Sequence, residues 1–316
     1  MLKKRLLNNL GSLLGLVLLG ISIAAIHYEL REFNYQDVLK SLTALPISSL
    51  YWSIALMLVS YVSMGAYDTL SLRYIGQTLA VSKSVFTGFI SSAATNTVGF
   101  AFLTGSAIRY RYYLNWGVSA IAIAQVIAFE NISFCLGLFL VSGVVFLLNP
   151  LAVPTQFNLP FISVRPLSII FLLLVAAYLL GSIVWKKTLK FREHEFRFPP
   201  LSFACAQVII SSTDWFAAAA VLYVLLPPGT NISYLGFLSI FLLAQLAAII
   251  SNVPGGLGVF ETVILHLLSP YVTGGGGAVF ASLLAYRGVY YFLPLALATG
   301  LMGIYEIKSR FKTPNS

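Results

Sequence analysis

Residues 251–261 read Ser-Asn-Val-Pro-Gly-Gly-Leu-Gly-Val-Phe-Glu, a helix-breaking run set between two apolar stretches, 233–250 and 257–268. Pro254 has no N–H to give a helix, and Gly255, Gly256 and Gly258 admit backbone conformations that other residues resist. Broken backbone inside an apolar segment persists only where protein or a wet cavity surrounds it. The run therefore predicts two short helices joined by a turn within a membrane protein. Glycines also let backbone N–H groups approach a ligand, and a helix N-terminus favours an anionic group such as a phosphate. Glu261 would act against an anion and for an ammonium or a proton. The plainer alternative is a tight packing turn, and the run lacks the Lys-Ser/Thr of a P-loop.

Composition around this run agrees. Of 316 residues, 59% are apolar and 9% charged, against about a quarter charged in soluble domains. So few charges cannot build a water-facing surface, so lipid must be the solvent over most of it. The net charge of +9 is the excess expected of loops held on the cytoplasmic side, and argues against nucleic acid as a partner. Cys135 and Cys205 fall inside apolar runs, where they read as small buried side chains, and no disulfide or zinc spacing is present.

Further apolar segments lie at 10–26, 48–66, 84–104, 118–148, 166–185, 203–226 and 278–305. The first, behind Lys3-Lys4-Arg5, reads as a retained helix rather than a signal peptide ending near Ser22-Ile23-Ala24. The segment 84–104 is interrupted by Asn96, Gly99 and Gly105. Fifteen of the 19 lysines and arginines fall at 3–5, 73–111, 186–197 and 308–312. Placing all four groups in the cytoplasm puts both termini there and the loops 28–47, 149–165 and 227–232 outside. The segment 84–108 must then enter from the cytoplasm and return to it, and 233–268 must enter from outside and return. Six full crossings and two re-entrant hairpins follow.

An internal repeat fits this topology. Thr95-Asn96-Thr97-Val98-Gly99 is similar to Ser251-Asn252-Val253-Pro254-Gly255, and Ile127-Ala128-Phe129-Glu130 to Leu284-Ala285-Tyr286-Arg287. Asp68 and Asp214 hold corresponding places upstream. The fold expected is all-α: one transmembrane domain over 1–316, a polytopic helix bundle with two re-entrant broken hairpins. The units, about 48–148 and 203–306, form an inverted-topology repeat. In secondary transporters of that design the site lies where broken helices meet.

Ionisable groups within the helices are the sharpest candidates, because a charge at the bilayer centre costs at least about 2.5–3.5 kcal/mol and must face the bundle or water. They are Asp68, Arg109, Glu130, Asp214, Glu261 and Arg287. Glu130 and Arg287, equivalent in the two units and opposite in sign, are expected to pair across the pseudo-axis, as a structural ion pair or as part of a site. Gln207, Ser211 and Asp214 share one helix face, which should point into the bundle. Asp68 sits inside the bundle or at the headgroup level. His27, His194 and His266 lie far apart, and no catalytic motif is present, so no enzyme activity, cofactor or metal site is expected.

Three ordered motifs carry a family resemblance. They are Ala66-Tyr67-Asp68-Thr69-Leu70-Ser71-Leu72-Arg73-Tyr74-Ile75-Gly76, then Asn96-Thr97-Val98-Gly99-Phe100 with Thr104-Gly105-Ser106-Ala107-Ile108-Arg109-Tyr110-Arg111, then Asn252 to Glu261. Together they resemble the transmembrane flippase-like region of bacterial lysyl-phosphatidylglycerol synthases and their stand-alone relatives. The resemblance implies a bacterial cytoplasmic-membrane protein that moves a phospholipid or lipid-linked headgroup between leaflets. With the synthase domain absent, lysyl transfer is not expected. An ion-coupled transporter of a small soluble anion, or a scaffold for a lipid-modifying partner, are the alternatives. The expected partner is an anionic or aminoacylated phospholipid; a homo-oligomer is compatible with the sequence. Candidate headgroup ligands inside the motifs are Asp68, Arg73, Asn96, Arg109, Asn252, Gly255, Gly256 and Glu261. Glu130, Asp214 and Arg287 join them from the reading of buried charge.

Overall fold

Apolar runs bounded by proline and glycine set the helices. A computed structural model describes residue 36 and residues 43–98, 101–151, 163–185, 189–191, 194–196, 198–251, 253–272 and 275–311. The apolar segment 10–26 lies outside them. Pro46, in extended conformation, precedes helix α1 (Ile47–Tyr74). Then come α2 (Val81–Val98), α3 (Ala101–Asn115) and α4 (Ala120–Leu148), the last capped by Ser119, whose Oγ accepts from the Ala122 N–H at 3.2 Å. Helix α5 (Arg165–Val184) starts on Pro166, and α6 (Leu201–Val224) follows Pro200. Helix α7 (Tyr234–Ser251) leads through a turn at Pro254–Gly256 to α8 (Val259–Leu268). A final continuous span comprises α9 (Gly275–Tyr286), a π-helical segment (Arg287–Phe292) and α10 (Leu293–Phe311). Between α5 and α6 lies a short antiparallel ribbon, β1 (Leu189–Phe191) with β2 (His194–Phe196). The basic stretch 186–197, expected as a loop, thus holds a two-stranded element.

Among the described residues six helices are long and apolar enough to cross a membrane: α1, α4, α5, α6, α7 and the span Gly275–Lys308. Helix α7 was expected as one arm of a hairpin, yet by length and composition it qualifies as a span. Helix α5 shows what the solvent is. It buries Ser168, Phe171 and Val175, and turns Ile169, Ile170, Leu173 and Leu174 outward. The core forms where α1 packs on α6 with α4 and α7 alongside.

Two boundaries differ from the sequence reading. Helix α1 runs to Tyr74 rather than 66, because its polar last turns are buried against protein and need no apolar side chains. Gly105 lies inside α3 and breaks nothing; α2 ends at Val98, α3 begins at Ala101, and Gly99 lies outside the described residues.

Both broken pairs fold back. Lys83, at the start of α2, sits 5.1 Å from the ring centre of Trp116, just past α3. Asn231, just ahead of α7, donates its N–H to the Tyr271 carbonyl at 2.9 Å, just past α8. The end of α2 meets the turn at Pro254–Gly256: a Cβ placed on Gly255 would lie 3.1 Å from the Thr97 carbonyl oxygen. The π segment has a local cause. Pro294 offers no N–H, so the Tyr290 carbonyl four residues earlier loses its helical donor. Tyr61 of α1 fills the gap, donating its hydroxyl to that carbonyl at 2.9 Å, and Thr97 of α2 donates to the next one, Tyr291, at 3.3 Å.

Candidate functional site

The first cluster joins three helices. Asp68 is fully buried in α1, and α3 and α4 bring Arg109 and Glu130 to it. Arg109 donates from Nε to both Asp68 oxygens at 3.2 and 3.3 Å and from Nη2 to Oδ2 at 3.0 Å. Its Nε also lies 2.7 Å from Glu130 Oε2. Tyr113, one turn after Arg109 on the same face of α3, donates its hydroxyl to Asp68. Two carboxylates therefore face one guanidinium, and a proton or a second cation is needed to balance them. Glu130 Oε1 is buried and accepts from no protein donor. Helix α2 closes over the cluster, since a Cβ on Gly88 would come 2.7 Å from Asp68 Oδ2 and 2.8 Å from the Gly65 Cα.

The second cluster ties a turn to a helix. Gly255, Gly256 and Gly258 adopt φ of +63°, +63° and +79°, values that side chains resist. Glu261, in the first turn of α8, accepts from the Gly258 N–H at 3.0 Å through Oε2. Its Oε1 receives Arg287 Nε at 2.7 Å and lies 2.5 Å from Nη2. Arg287 Nη1 donates to the Gly255 carbonyl at 3.2 Å, and the guanidinium carbon stands 4.5 Å over the Tyr291 ring. One carboxylate meets one guanidinium here, and both are also bonded to the glycine turn.

The third site has no cation. Asp214 of α6 is 3% exposed. Ser60 donates to its Oδ1 at 2.5 Å and Tyr67 to its Oδ2 at 3.0 Å. Gln207 and Ser211, on the same face, are fully buried, as the sequence pattern requires. Gln207 receives the Tyr178 hydroxyl at 2.7 Å and donates to Ser133 at 2.9 Å.

Glu130 and Arg287 are not partners, contrary to expectation. Glu130 meets Arg109 and Arg287 meets Glu261. Glu130 finds its partner in the neighbouring helix α3 and Arg287 finds its partner in α8. Asp68 lies inside the bundle, not at its rim. Cys135 and Cys205 are exposed, because an apolar run does not say which helix face meets lipid. Asn96 stands at the end of α2, its Nδ2 3.4 Å from the Tyr61 hydroxyl. Arg73 is exposed beyond Asp68 and joins none of the three clusters, and Asn252 lies outside the described residues. Sequence reading overlooked Ser60, Tyr67, Tyr113 and Tyr290. The signal was there: Ser60 and Tyr67 share a face of α1, and Tyr113 follows Arg109 at i+4.

No protein-family model matches the chain. It is 45% identical over 296 residues to the Synechocystis sp. protein slr0712, covering 93% of this chain and 91% of that one. It is 30% identical over 269 residues to the inner membrane protein YbhN of Escherichia coli, covering 85% and 83%. It is 28% identical over 315 residues to phosphatidylglycerol lysyltransferase of Staphylococcus xylosus, covering 98% of this chain but 36% of that relative.

Proposed function

We propose that this chain, which belongs to the membrane-protein family of YbhN and of the N-terminal part of phosphatidylglycerol lysyltransferase, moves a phospholipid or lipid-linked headgroup between the leaflets of the bilayer. The observation that carries this reading is the Asp68–Arg109–Glu130 cluster. A buried carboxylate oxygen without a donor costs about 1–3 kcal/mol, and more when charged, unless something meets it. Beside two carboxylates that share one guanidinium, its complement is the ammonium or hydroxyl of a headgroup. The relative's name contains phosphatidylglycerol, and similarity to it runs through nearly all of this chain. An anionic or aminoacylated phosphatidylglycerol is therefore the substrate class.

In this reading α2–α3 and α7–α8 are re-entrant hairpins entering from opposite faces, each the broken element of one unit of an inverted repeat. Two features support it: each pair starts and ends at one place, and the end of α2 touches the glycine turn. Lys83, Arg111 and Lys308 belong to one end of the bundle, where Arg111 pairs with Glu306. That end would be cytoplasmic. Asn96, Gly255 and Gly256 then stand where the hairpin tips meet, beside the headgroup path. The charged groups bind and orient, and no bond-making is assigned to them.

The test uses liposomes holding the purified protein and phosphatidylglycerol with a fluorescent headgroup. A membrane-impermeant reductant bleaches only the outer leaflet. Protein should raise the bleached fraction above the half reached in empty vesicles. Bleaching that stays at half, with labelled soluble anions entering instead, would overturn the lipid reading.

A further inference from the structure

Asp214 is the one buried carboxylate of the three clusters that no arginine meets. Burying an ionised carboxylate is costly unless a proton or a cation answers it. Its partners are hydroxyls. Ser60 Oγ lies 2.5 Å from Oδ1 and 2.8 Å from the Tyr290 hydroxyl, so Asp214, Ser60 and Tyr290 form a chain of three oxygens. Tyr67 closes the other side. The titratable groups facing Asp214 are Tyr61 and Tyr67 of α1 and Tyr290 of the π segment. The other elements packed on α6, which are α4, α5, α7 and α9, bring it no charged side chain among the described residues.

We propose that Asp214 is a proton-binding site that couples headgroup movement to a proton gradient; the coupling, though not the site, rests on the lipid reading above. The chain of oxygens can run in two directions. With Asp214 ionised, the Tyr290 hydroxyl donates to Ser60 and Ser60 donates to Oδ1. When a proton from water joins Oδ1, the new O–H donates to Ser60, and the Ser60 hydrogen turns to the Tyr290 oxygen. One O–H bond forms at the carboxyl, and the others only rotate. Reversal reaches the π segment at Tyr290, three residues from Arg287, where Tyr61 and Thr97 donate to the Tyr290 and Tyr291 carbonyls. Tyr67, which donates to Asp214 Oδ2, is the residue next to Asp68 on α1, so the carboxyl is also bonded beside the first cluster. Two headgroup-facing clusters are thus tied to one carboxyl.

Two measurements test this on the full chain, with Asp214→Asn as a neutral mimic and Ser60→Ala as a second variant that spares the carboxyl. Infrared difference spectra between alkaline and acidic buffer should contain a carboxyl band that Asp214→Asn removes and Ser60→Ala shifts. Identical spectra for wild type and Asp214→Asn would overturn the proton site, as would a band that follows sodium and ignores pH. In liposomes, one proton per lipid and a gradient of one pH unit should skew labelled phosphatidylglycerol about tenfold between leaflets. Asp214→Asn should equalise the leaflets at any gradient. Wild type that moves lipid with no skew would overturn the coupling. Wild type that moves no lipid would fail the lipid reading and with it the coupling, while the infrared result still judges the proton site.

Discussion

Arg109 and Arg287 are each held by carboxylates brought from neighbouring elements, but Arg109 faces two of them and Arg287 one. The surroundings differ in kind as well. Asp68 and Glu130 arrive on long helices, and Tyr113 adds a hydroxyl. Glu261 and Arg287 both bond to the backbone of the glycine turn. The first cluster is thus assembled from side chains and has an oxygen to spare, while the second fastens a break in the chain. In the proposed reading, buried charge in one fold serves two ends: one group is available to a headgroup, the other fixes the geometry around it.

The largest effect expected from breaking this comparison is at Arg109. Removing one partner of a buried pair typically costs about 3–5 kcal/mol, and Arg109→Met strands two carboxylates at once. The yield of monodisperse protein should collapse further than for Arg287→Met, which strands only Glu261. The double variants separate the sites. Arg287→Met with Glu261→Gln should recover folding, because no charge is left alone. Arg109→Met with Glu130→Gln should not, because Asp68 remains. Equal recovery in both would erase the asymmetry.

A middle-sized effect sharpens the contrast between backbone and side chain. Gly256 has φ +63°, and a Cβ there would lie 2.7 Å from the Ala248 Cβ. Gly256→Ala should lower stability by at least about 1–2 kcal/mol, the cost of a side chain in the left-handed region. Gly105 lies under the first cluster within a regular helix at ordinary φ, where a new Cβ would meet the Thr95 hydroxyl, which can rotate away, and Arg109 Nη1 at 2.9 Å. Gly105→Ala should cost less in thermal unfolding and show itself in headgroup movement. A larger loss of stability at Gly105 would mean that both clusters are anchored in backbone.

Much of this was legible in the sequence, and what was not has physical causes. Apolar runs give helices because few other structures satisfy the backbone in lipid, and Pro254 with three glycines marks the turn. Each of Asp68, Arg109, Glu130, Asp214, Glu261 and Arg287 could be singled out because charge in an apolar segment needs a reason. Which charge meets which could not be read, since α3 and α4 converge through a turn whose angle no periodicity encodes. Lipid-facing and core-facing positions are alike in composition, so the exposure of Cys135 and Cys205 was hidden as well. Hydroxyl partners were missed because a buried tyrosine reads as apolar until its oxygen is placed. Ser60, Tyr67 and Tyr290 matter only once α1, α6 and the π segment are brought together.

The smallest effect on stability, and the most telling for function, belongs to Glu130→Gln. The change leaves Asp68 bonded to Arg109 and Tyr113, so no charge is stranded and the cluster becomes neutral. Stability should stay within about 1 kcal/mol of wild type, since the cost of breaking buried pairs comes from the partner left alone. Headgroup movement should fall at least about tenfold, equivalent to about 1.4 kcal/mol of lost binding to the spare oxygen. Glu261→Gln is the mirror experiment. It strands Arg287 and loosens the Gly258 N–H, so its effect should appear first as unfolding. The informative measurement is therefore a ratio, the change in transport against the change in thermal stability, taken for both glutamates. A high ratio at Glu130 and a low one at Glu261 supports a binding cluster beside a structural one. Similar ratios, or wild-type transport by Glu130→Gln, would mean that the spare oxygen holds no headgroup and that the second carboxyl is incidental to function.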